Sequence, residues 1–211
     1  MSLSIRKPFQ YTQKNYALVI ILINVAVYLL QNIFPMIRTY LYLNVYNCVI
    51  QKMFWQPFTY MFCHGNFQHI LFNMLGLFFF GFSVEKAVGS REFLLMYLLT
   101  GTLCGFFSLA FYFFTGRYGI FLMGASGAIY AMLLFYAVIF PCSKIYIWGI
   151  LPVPAPILVI AYALIEFGSS LFGYSGNVAH MTHLAGFGFA WLYFLIRMGI
   201  NPIRVWKDAY C

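Results

Sequence analysis

Six apolar stretches separated by more polar segments dominate the chain. None of them alternates polar and apolar residues with the period of two that a membrane barrel strand requires. Each stretch is long enough, or nearly so, to cross a bilayer as a helix, in which the backbone satisfies its own hydrogen bonds. The pattern therefore predicts six membrane-spanning helices, at about residues 17–34, 66–82, 93–114, 126–140, 151–172 and 179–198.

A long connection, about residues 35–63, joins the first two predicted spans. It holds several aromatic residues, among them Tyr40, Trp55 and Tyr60. Aromatic rings of this kind sit at the headgroup level of membranes, and loops this long usually carry structure of their own. We expect an interfacial segment with local structure here.

The fourth predicted span is short. Ser126 to Phe140 gives about 15 residues, or roughly 22 Å of helix, against a hydrocarbon thickness of about 30 Å. Ser126 would then lie below the outer surface, and the irregular stretch 118–124 would enter the membrane. Non-helical backbone at that depth must be covered by protein or line a water-filled cavity. The sequence therefore predicts a hydrated pocket, open to the outside, with Ser126 at its floor.

The composition of this chain indicates that lipid, not water, surrounds it. It is 64% hydrophobic and 8% charged, whereas about a quarter of the residues of a soluble domain are charged. We predict an all-α, polytopic membrane protein with six transmembrane helices. It forms a single membrane domain over residues 1–211, with a core at about 53–198 and tails at about 1–16 and 199–211.

The net charge of +8 indicates topology rather than nucleic-acid binding, because the basic residues stand at the ends of apolar runs, where they also favour anionic lipids. With six spans and the N-terminus inside, nine Lys and Arg residues fall in inner segments and three, Arg38, Lys52 and Arg117, in outer ones. We expect both termini in the cytoplasm, in a bacterial-type plasma membrane.

Polar residues inside the spans are candidates for chemistry. The turn Gly124-Ala125-Ser126-Gly127 opens the fourth helix, whose first backbone N–H groups are unpaired donors. Gly127, Gly186 and Ala190 would let the fourth and sixth helices approach closely. That approach would bring His183 within reach of Ser126, as general base to nucleophile.

A second polar pair, His69 and Asn73, is four residues apart and so shares one face of the second span. Both side chains can donate hydrogen bonds to an oxyanion beside the Ser126 N–H. The alternative is a pair that hydrogen-bonds between helices. Likewise, Ser126 could be a helix cap, and Gly124-x-x-x-Ala128 a packing motif.

The four acidic residues of the chain offer little support for a triad. Glu85, Glu92 and Asp208 fall in predicted cytoplasmic segments, so only Glu166 lies at membrane depth. A Ser-His-Glu relay would need Glu166 on the far side of His183. We favour a two-residue dyad whose imidazole packs against Tyr130, with Glu166 as a structural group or a polar lining of the cavity mouth.

Two other histidines need an interpretation. His180 and His183 are three residues apart and could bind a metal, but no H-E-x-x-H pattern or carboxylate partner accompanies them. We therefore expect no metal. His64 lies near the outer boundary and is expected to be solvated.

Taken together, these motifs resemble those of rhomboid intramembrane serine proteases. The matching segments follow in the family's order over about residues 53–191: Trp55–Met74, Glu85 with Gly89-Ser90-Arg91, Gly124–Gly127 and Ala179–Gly186. The resemblance implies that Ser126 is the nucleophile and His183 the base.

The same resemblance assigns supporting roles. His69, Asn73 and Gly124 match oxyanion-site positions, and Tyr130 matches the ring packed on the histidine. His180 matches the first, non-catalytic histidine of the family's H-x-x-H pattern. The family hydrolyses transmembrane proteins near the outer ends of their spans, admits them between the second and fifth helices, and uses no cofactor.

We therefore expect a serine endopeptidase that acts within the membrane on transmembrane substrates, with lipids as its other partners and no nucleic acid. The alternative is a non-catalytic rhomboid-like protein that binds and escorts transmembrane clients. Such a protein would share the fold but would not depend on Ser126.

Overall fold

The computed structural model describes residues 6–147, 149–172 and 179–209. Helices dominate these ranges, as the apolar pattern predicts. The α-helices within them are α1 Tyr16–Ile33, α2 Ile37–Leu41, α3 Val45–Val49, α4 Gln56–Thr59, α5 Phe67–Gly76, α6 Phe82–Val88, α7 Ser90–Phe114, α8 Ser126–Ile139, α9 Ala155–Phe172, α10 His180–Tyr193 and α11 Pro202–Asp208.

Three of these helical segments are long and apolar enough to cross a membrane: α1, Phe67–Val88 and α7. The second combines α5 and α6, which are joined by a π-helical stretch, Leu77–Gly81. A fourth candidate is His180–Met198, which bends by 87° into α11. The helices α8 and α9 are apolar but shorter. The count of six spans stays a prediction.

The fifth predicted span begins later than expected, and the chain is not purely helical. Leu151–Pro154 forms strand β2, which pairs antiparallel with β1, Lys144–Ile147. Pro152 and Pro154 explain the difference, because proline inside a helix removes a hydrogen bond and clashes with the preceding turn. Pro156 is tolerated, because it falls in the first turn of α9.

The fourth predicted helix has the expected short length. Helix α8 has 14 residues, about 21 Å, and begins at Ser126. It is the central helix, because it packs against α7, α9 and α10 and most of its side chains are buried. The reactive serine predicted from the sequence therefore stands at the start of the most enclosed helix of the core.

The stretch that precedes α8 is irregular, as predicted, and the first connection bonds part of its backbone. Leu43 and Leu122 exchange backbone hydrogen bonds of 2.9 and 2.8 Å. The Asn44 side chain donates to the carbonyls of Tyr118 and Ile120, both at 2.9 Å. The long first connection, which contains α2, α3 and α4, thus satisfies backbone groups that lipid could not.

Two acids predicted to lie in a cytoplasmic loop are instead helical and buried. Glu85, in α6, accepts from the backbone N–H groups of Tyr16 and Ala17 and so caps α1. Glu92, in α7, pairs with Arg197 at 2.8 Å. The prediction of a loop was wrong because Gly89, at φ 86°, turns the chain within a single residue.

Candidate active site

Gly124 shapes the approach to the candidate nucleophile. Its φ is 120°, a region that favours glycine, and its N–H donates to the carbonyl of Tyr60 at 3.0 Å. A Cβ at this position would lie 2.6 Å from Nε2 of His69. Only a residue without a side chain lets the backbone pass this close to the imidazole.

Ser126 and His183 lie on different helices, yet their side chains touch. The Ser126 Oγ is 2.7 Å from Nε2 of His183. The contact depends on close packing of α8 and α10, since a Cβ at Gly186 would lie 2.2 Å from the carbonyl oxygen of Gly127. The two backbones meet where the sequence places small residues.

The imidazole of His183 is held on its face by Tyr130. The two rings are nearly parallel, with centroids 4.3 Å apart and an interplanar angle of 9°. Tyr130 lies one turn after Ser126 on α8, so a single helix carries both the hydroxyl and the stacking ring.

Glu166 lies on the other side of His183. Its Oε1 is 3.0 Å from Nδ1 of His183, and its Oε2 is 2.6 Å from Nδ1 of His180. The Tyr130 hydroxyl also donates to Oε1. Glu166 as a whole is 5% exposed. The carboxylate partner missing from the local sequence of the two histidines therefore comes from α9, and it meets the condition for a Ser-His-Glu arrangement.

His69 and Asn73 stand at the rim of the same site. The side chain of Asn66 accepts from the His69 N–H and caps α5, which fixes this end of the helix. Asn73 donates to the His69 carbonyl at 2.8 Å. An amide nitrogen carries two hydrogens, so one donor of Asn73 is engaged within the helix and a second can serve a ligand.

These groups surround a cavity of about 1220 Å³. Ser126, His69, Asn73, His180 and His183 all contribute to its wall. Sequence reasoning did not anticipate three further polar lining residues, Arg117, Ser169 and Ser170. A mixed polar and apolar wall at a half-buried nucleophile fits a water-accessible reaction site.

His64 is enclosed rather than solvated, contrary to the expectation from the sequence. It is 0% exposed, and its ring packs edge-on against His69 with centroids 5.1 Å apart. Burial first, and then the neighbouring His69, lower the pKa of His64 to about 3. His64 is therefore neutral at physiological pH.

Within the described ranges, no group of three or more His, Cys, Asp and Glu side chains is arranged to hold a metal ion. His180 and His183 both direct Nδ1 at Glu166. Their spacing therefore reflects a shared hydrogen-bond partner.

Comparison with known proteins identifies the family to which the chain belongs. The model of the Rhomboid domain matches residues 51–199, about the range over which the motifs resemble that family. This chain belongs to the rhomboid family. Family membership and the apolar helices together make this rhomboid an integral membrane protein.

Two curated relatives, each named rhomboid protease GlpG and from different strains of Klebsiella pneumoniae, are 32% identical to this rhomboid over 115 residues. The aligned part covers 54% of this chain and 40% of each relative. The match thus spans less than half of the length of these relatives.

The contact between Glu166 and His183 is a further feature of this rhomboid that the sequence did not assign. The available signal was that Glu166 is the one acidic residue predicted at membrane depth. Its face on α9 could not be fixed from the sequence alone, because nothing in the chain specifies how that helix is rotated against α10.

Proposed function

We propose that this rhomboid is an intramembrane serine endopeptidase with Ser126 as nucleophile and His183 as general base. The observation that carries the proposal is the 2.7 Å contact between Ser126 Oγ and His183 Nε2. Hydrogen-bonded nucleophile and base side chains on packed helices, beside a cavity, are the arrangement that acyl transfer needs.

The reaction follows from this geometry. His183 Nε2 accepts the Ser126 hydroxyl proton as Oγ attacks the carbonyl carbon of the scissile peptide. The resulting imidazolium then gives that proton to the leaving amine, and an acyl-enzyme remains. Water from the cavity attacks the ester, with His183 again as base, and releases the second product.

The developing oxyanion needs donors on the side of Ser126 away from the base. The Ser126 backbone N–H is at the start of α8 and has no partner within that helix. His69 and Asn73 supply side-chain donors from α5, and the absence of a side chain at Gly124 leaves room beside Nε2 of His69. Donors preorganised in this way stabilise charge that appears only in the transition state.

We assign transmembrane proteins as substrates, cut near the outer ends of their spans. The cavity beside Ser126 is lined by helix ends, namely the first residues of α5 and α10 and the last residues of α7, so a substrate segment enters it near one end of the helix bundle. Membrane lipids surround the enzyme. The count of nine inner against three outer basic residues supports cytoplasmic termini. The chemistry calls for no metal and no cofactor.

The purified protein should be reconstituted into liposomes with a single-span substrate and, separately, treated with a fluorophosphonate that phosphonylates activated serines. We expect both cleavage and labelling. The Ser126→Ala and His183→Ala variants should lose both, and the double variant should be no worse than either, because residues that act as a unit are not additive. Ser83→Ala, whose hydroxyl bonds the Phe79 carbonyl far from the cavity, is the matched control.

Labelling that survives Ser126→Ala would contradict this assignment. A second outcome would also contradict it: wild type and Ser126→Ala bind the substrate equally well, and wild type is neither labelled nor active. The protein would then be a non-catalytic member of the family that binds transmembrane clients.

A further inference from the structure

Glu166 differs from the other two buried acids in its hydrogen-bond partners. Glu85 caps a helix, and Glu92 is neutralised by Arg197. In the described part of the chain, the partners of Glu166 are two imidazoles and a phenol, and one of those imidazoles touches Ser126.

We propose that Glu166 is a positioning residue for His183 and makes the site of this rhomboid a Ser-His-Glu arrangement in place of a dyad. The inference rests on the proposed function, since it concerns how the base of that reaction is held. Glu166 acts through His183 and does not touch substrate.

The first argument concerns which nitrogen of His183 carries the proton. An ionised carboxylate can only accept hydrogen bonds, so the 3.0 Å contact with Oε1 assigns a hydrogen to Nδ1. In neutral imidazole the other nitrogen, Nε2, is then an acceptor, and it lies 2.7 Å from the Ser126 hydroxyl. Glu166 thus selects the tautomer that a general base requires.

The second argument concerns how firmly the carboxylate is held. Oε1 accepts from both Tyr130 and His183, while Oε2 accepts from His180. These bonds tie α9, which carries Glu166, to α8 and α10. Tyr130 fixes the plane of the His183 ring by stacking, and Glu166 fixes its rotation within that plane.

The third argument is electrostatic. When Nε2 takes the serine proton, His183 becomes a cation in a site where Glu166 is 5% exposed. A carboxylate 3.0 Å away stabilises that cation more strongly here than it would in water. The proton goes from Oγ to Nε2 and then to the leaving amine, and it never moves to Glu166.

A purely structural Glu166 would behave differently. If Glu166 only held the helices together, its removal would lower the thermal stability of the protein. The kcat of the molecules that remain folded would not change. A positioning residue changes kcat, and it also changes the reactivity of Ser126 towards a small phosphonate that makes no use of the substrate site.

The test compares wild type, Glu166→Gln and Glu92→Gln in liposomes. Both variants remove a buried charge that also bonds a tyrosine, but Glu92 lies at the other end of the molecule, with Tyr193 and Arg197. For Glu166→Gln we expect kcat and the rate of fluorophosphonate labelling to fall by about 10²-fold, with KM within about threefold. For Glu92→Gln we expect both rates within about twofold of wild type per folded molecule.

The outcome separates this inference from the function on which it rests. A wild type that neither cleaves nor labels overturns the proposed function. A wild type that does both, beside a folded Glu166→Gln variant that loses less than about tenfold in kcat, overturns the role of Glu166 alone.

A measurement on the unmutated protein covers the case in which Glu166→Gln does not fold. Nitrogen-15 NMR of histidine-labelled wild type at neutral pH reports which ring nitrogen is protonated, and the His183→Asn variant assigns the signals. Protonation of Nδ1 with an unprotonated Nε2 is expected. The opposite tautomer overturns the proposal.

Discussion

At the scale of single residues, the proposed mechanism distinguishes side chains that react or bind the substrate from side chains that hold them in place. His69 and Asn73 face the same cavity as Ser126, and Asn73 is 6% exposed. Both residues could be predicted from the sequence, because a spacing of four puts them on one helical face. Glu166 could not be placed in the same way, since its partners lie 14 to 36 residues away in the chain.

Removing the Asn73 amide should therefore slow turnover rather than weaken binding. We expect Asn73→Ala to lower kcat by about 10²-fold, at the low end of the effect of one lost oxyanion donor, with KM nearly unchanged. His69→Ala should show the same pattern. Steady-state cleavage in liposomes measures both parameters, and Leu71→Ala, an exposed position on the same helix that does not line the cavity, controls for packing. If neither substitution changed kcat, the oxyanion role would have to be abandoned.

At the scale of elements, the sequence predicts which segments are helices better than where they begin. The six apolar stretches each contain a helix, and the short fourth helix begins at Ser126 as predicted. The hairpin of β1 and β2 was missed because Leu151–Pro154 contains no polar or charged side chain and runs directly into the apolar helix that follows it. Hydrophobicity alone does not distinguish the two, whereas the prolines do.

The close packing of α8 on α10 gives a second prediction. A methyl group at position 186 would meet the Gly127 backbone, so the two helices must separate in Gly186→Ala. We expect the free energy of unfolding to fall by about 1–3 kcal/mol, with a loss of turnover as Ser126 and His183 move apart.

Gly188→Ala is the matched control, because it lies in the same helix and a Cβ there meets nothing within 4 Å. Equilibrium unfolding in detergent compares the two variants. Equal stability of both would show that α8 and α10 are less tightly packed than described.

At the scale of the whole molecule, composition predicts a membrane environment and a helical fold class, but it does not predict which polar side chains are buried. His64 illustrates the limit. Its sequence position next to Gly65 and Asn66 suggests a wet loop, yet α1 and the first connection enclose it; the Gln31 side chain, from α1, donates to its backbone carbonyl. Burial of this kind depends on contacts between distant segments.

Burial of neutral His64 should make the protein sensitive to acid. Its pKa is about 3 in the folded state and about 6.5 when unfolded, so the unfolded state binds the extra proton. Stability from this group is complete above about pH 6.5 and is lost as the pH falls towards 3, at about 1.4 kcal/mol per pH unit.

Unfolding free energies in detergent at pH 7, 6, 5 and 4 measure this slope. His64→Phe keeps a ring but cannot titrate, so its stability should fall less steeply over the same range, by about 1.4 kcal/mol per pH unit. Parallel slopes in the two proteins would contradict the assignment to His64.

The distance along the chain between Ser126 and His183 also determines when the two residues can meet during synthesis. The two residues are 57 positions apart, and Glu166 is made between them. At 5–20 residues per second, a ribosome needs about 3–11 s to go from the serine to the histidine. During those seconds Ser126 has no base, and α8 has no α10 to pack against. On the proposed mechanism, the growing chain therefore has no activity until α10, the last helix of the core, has been made.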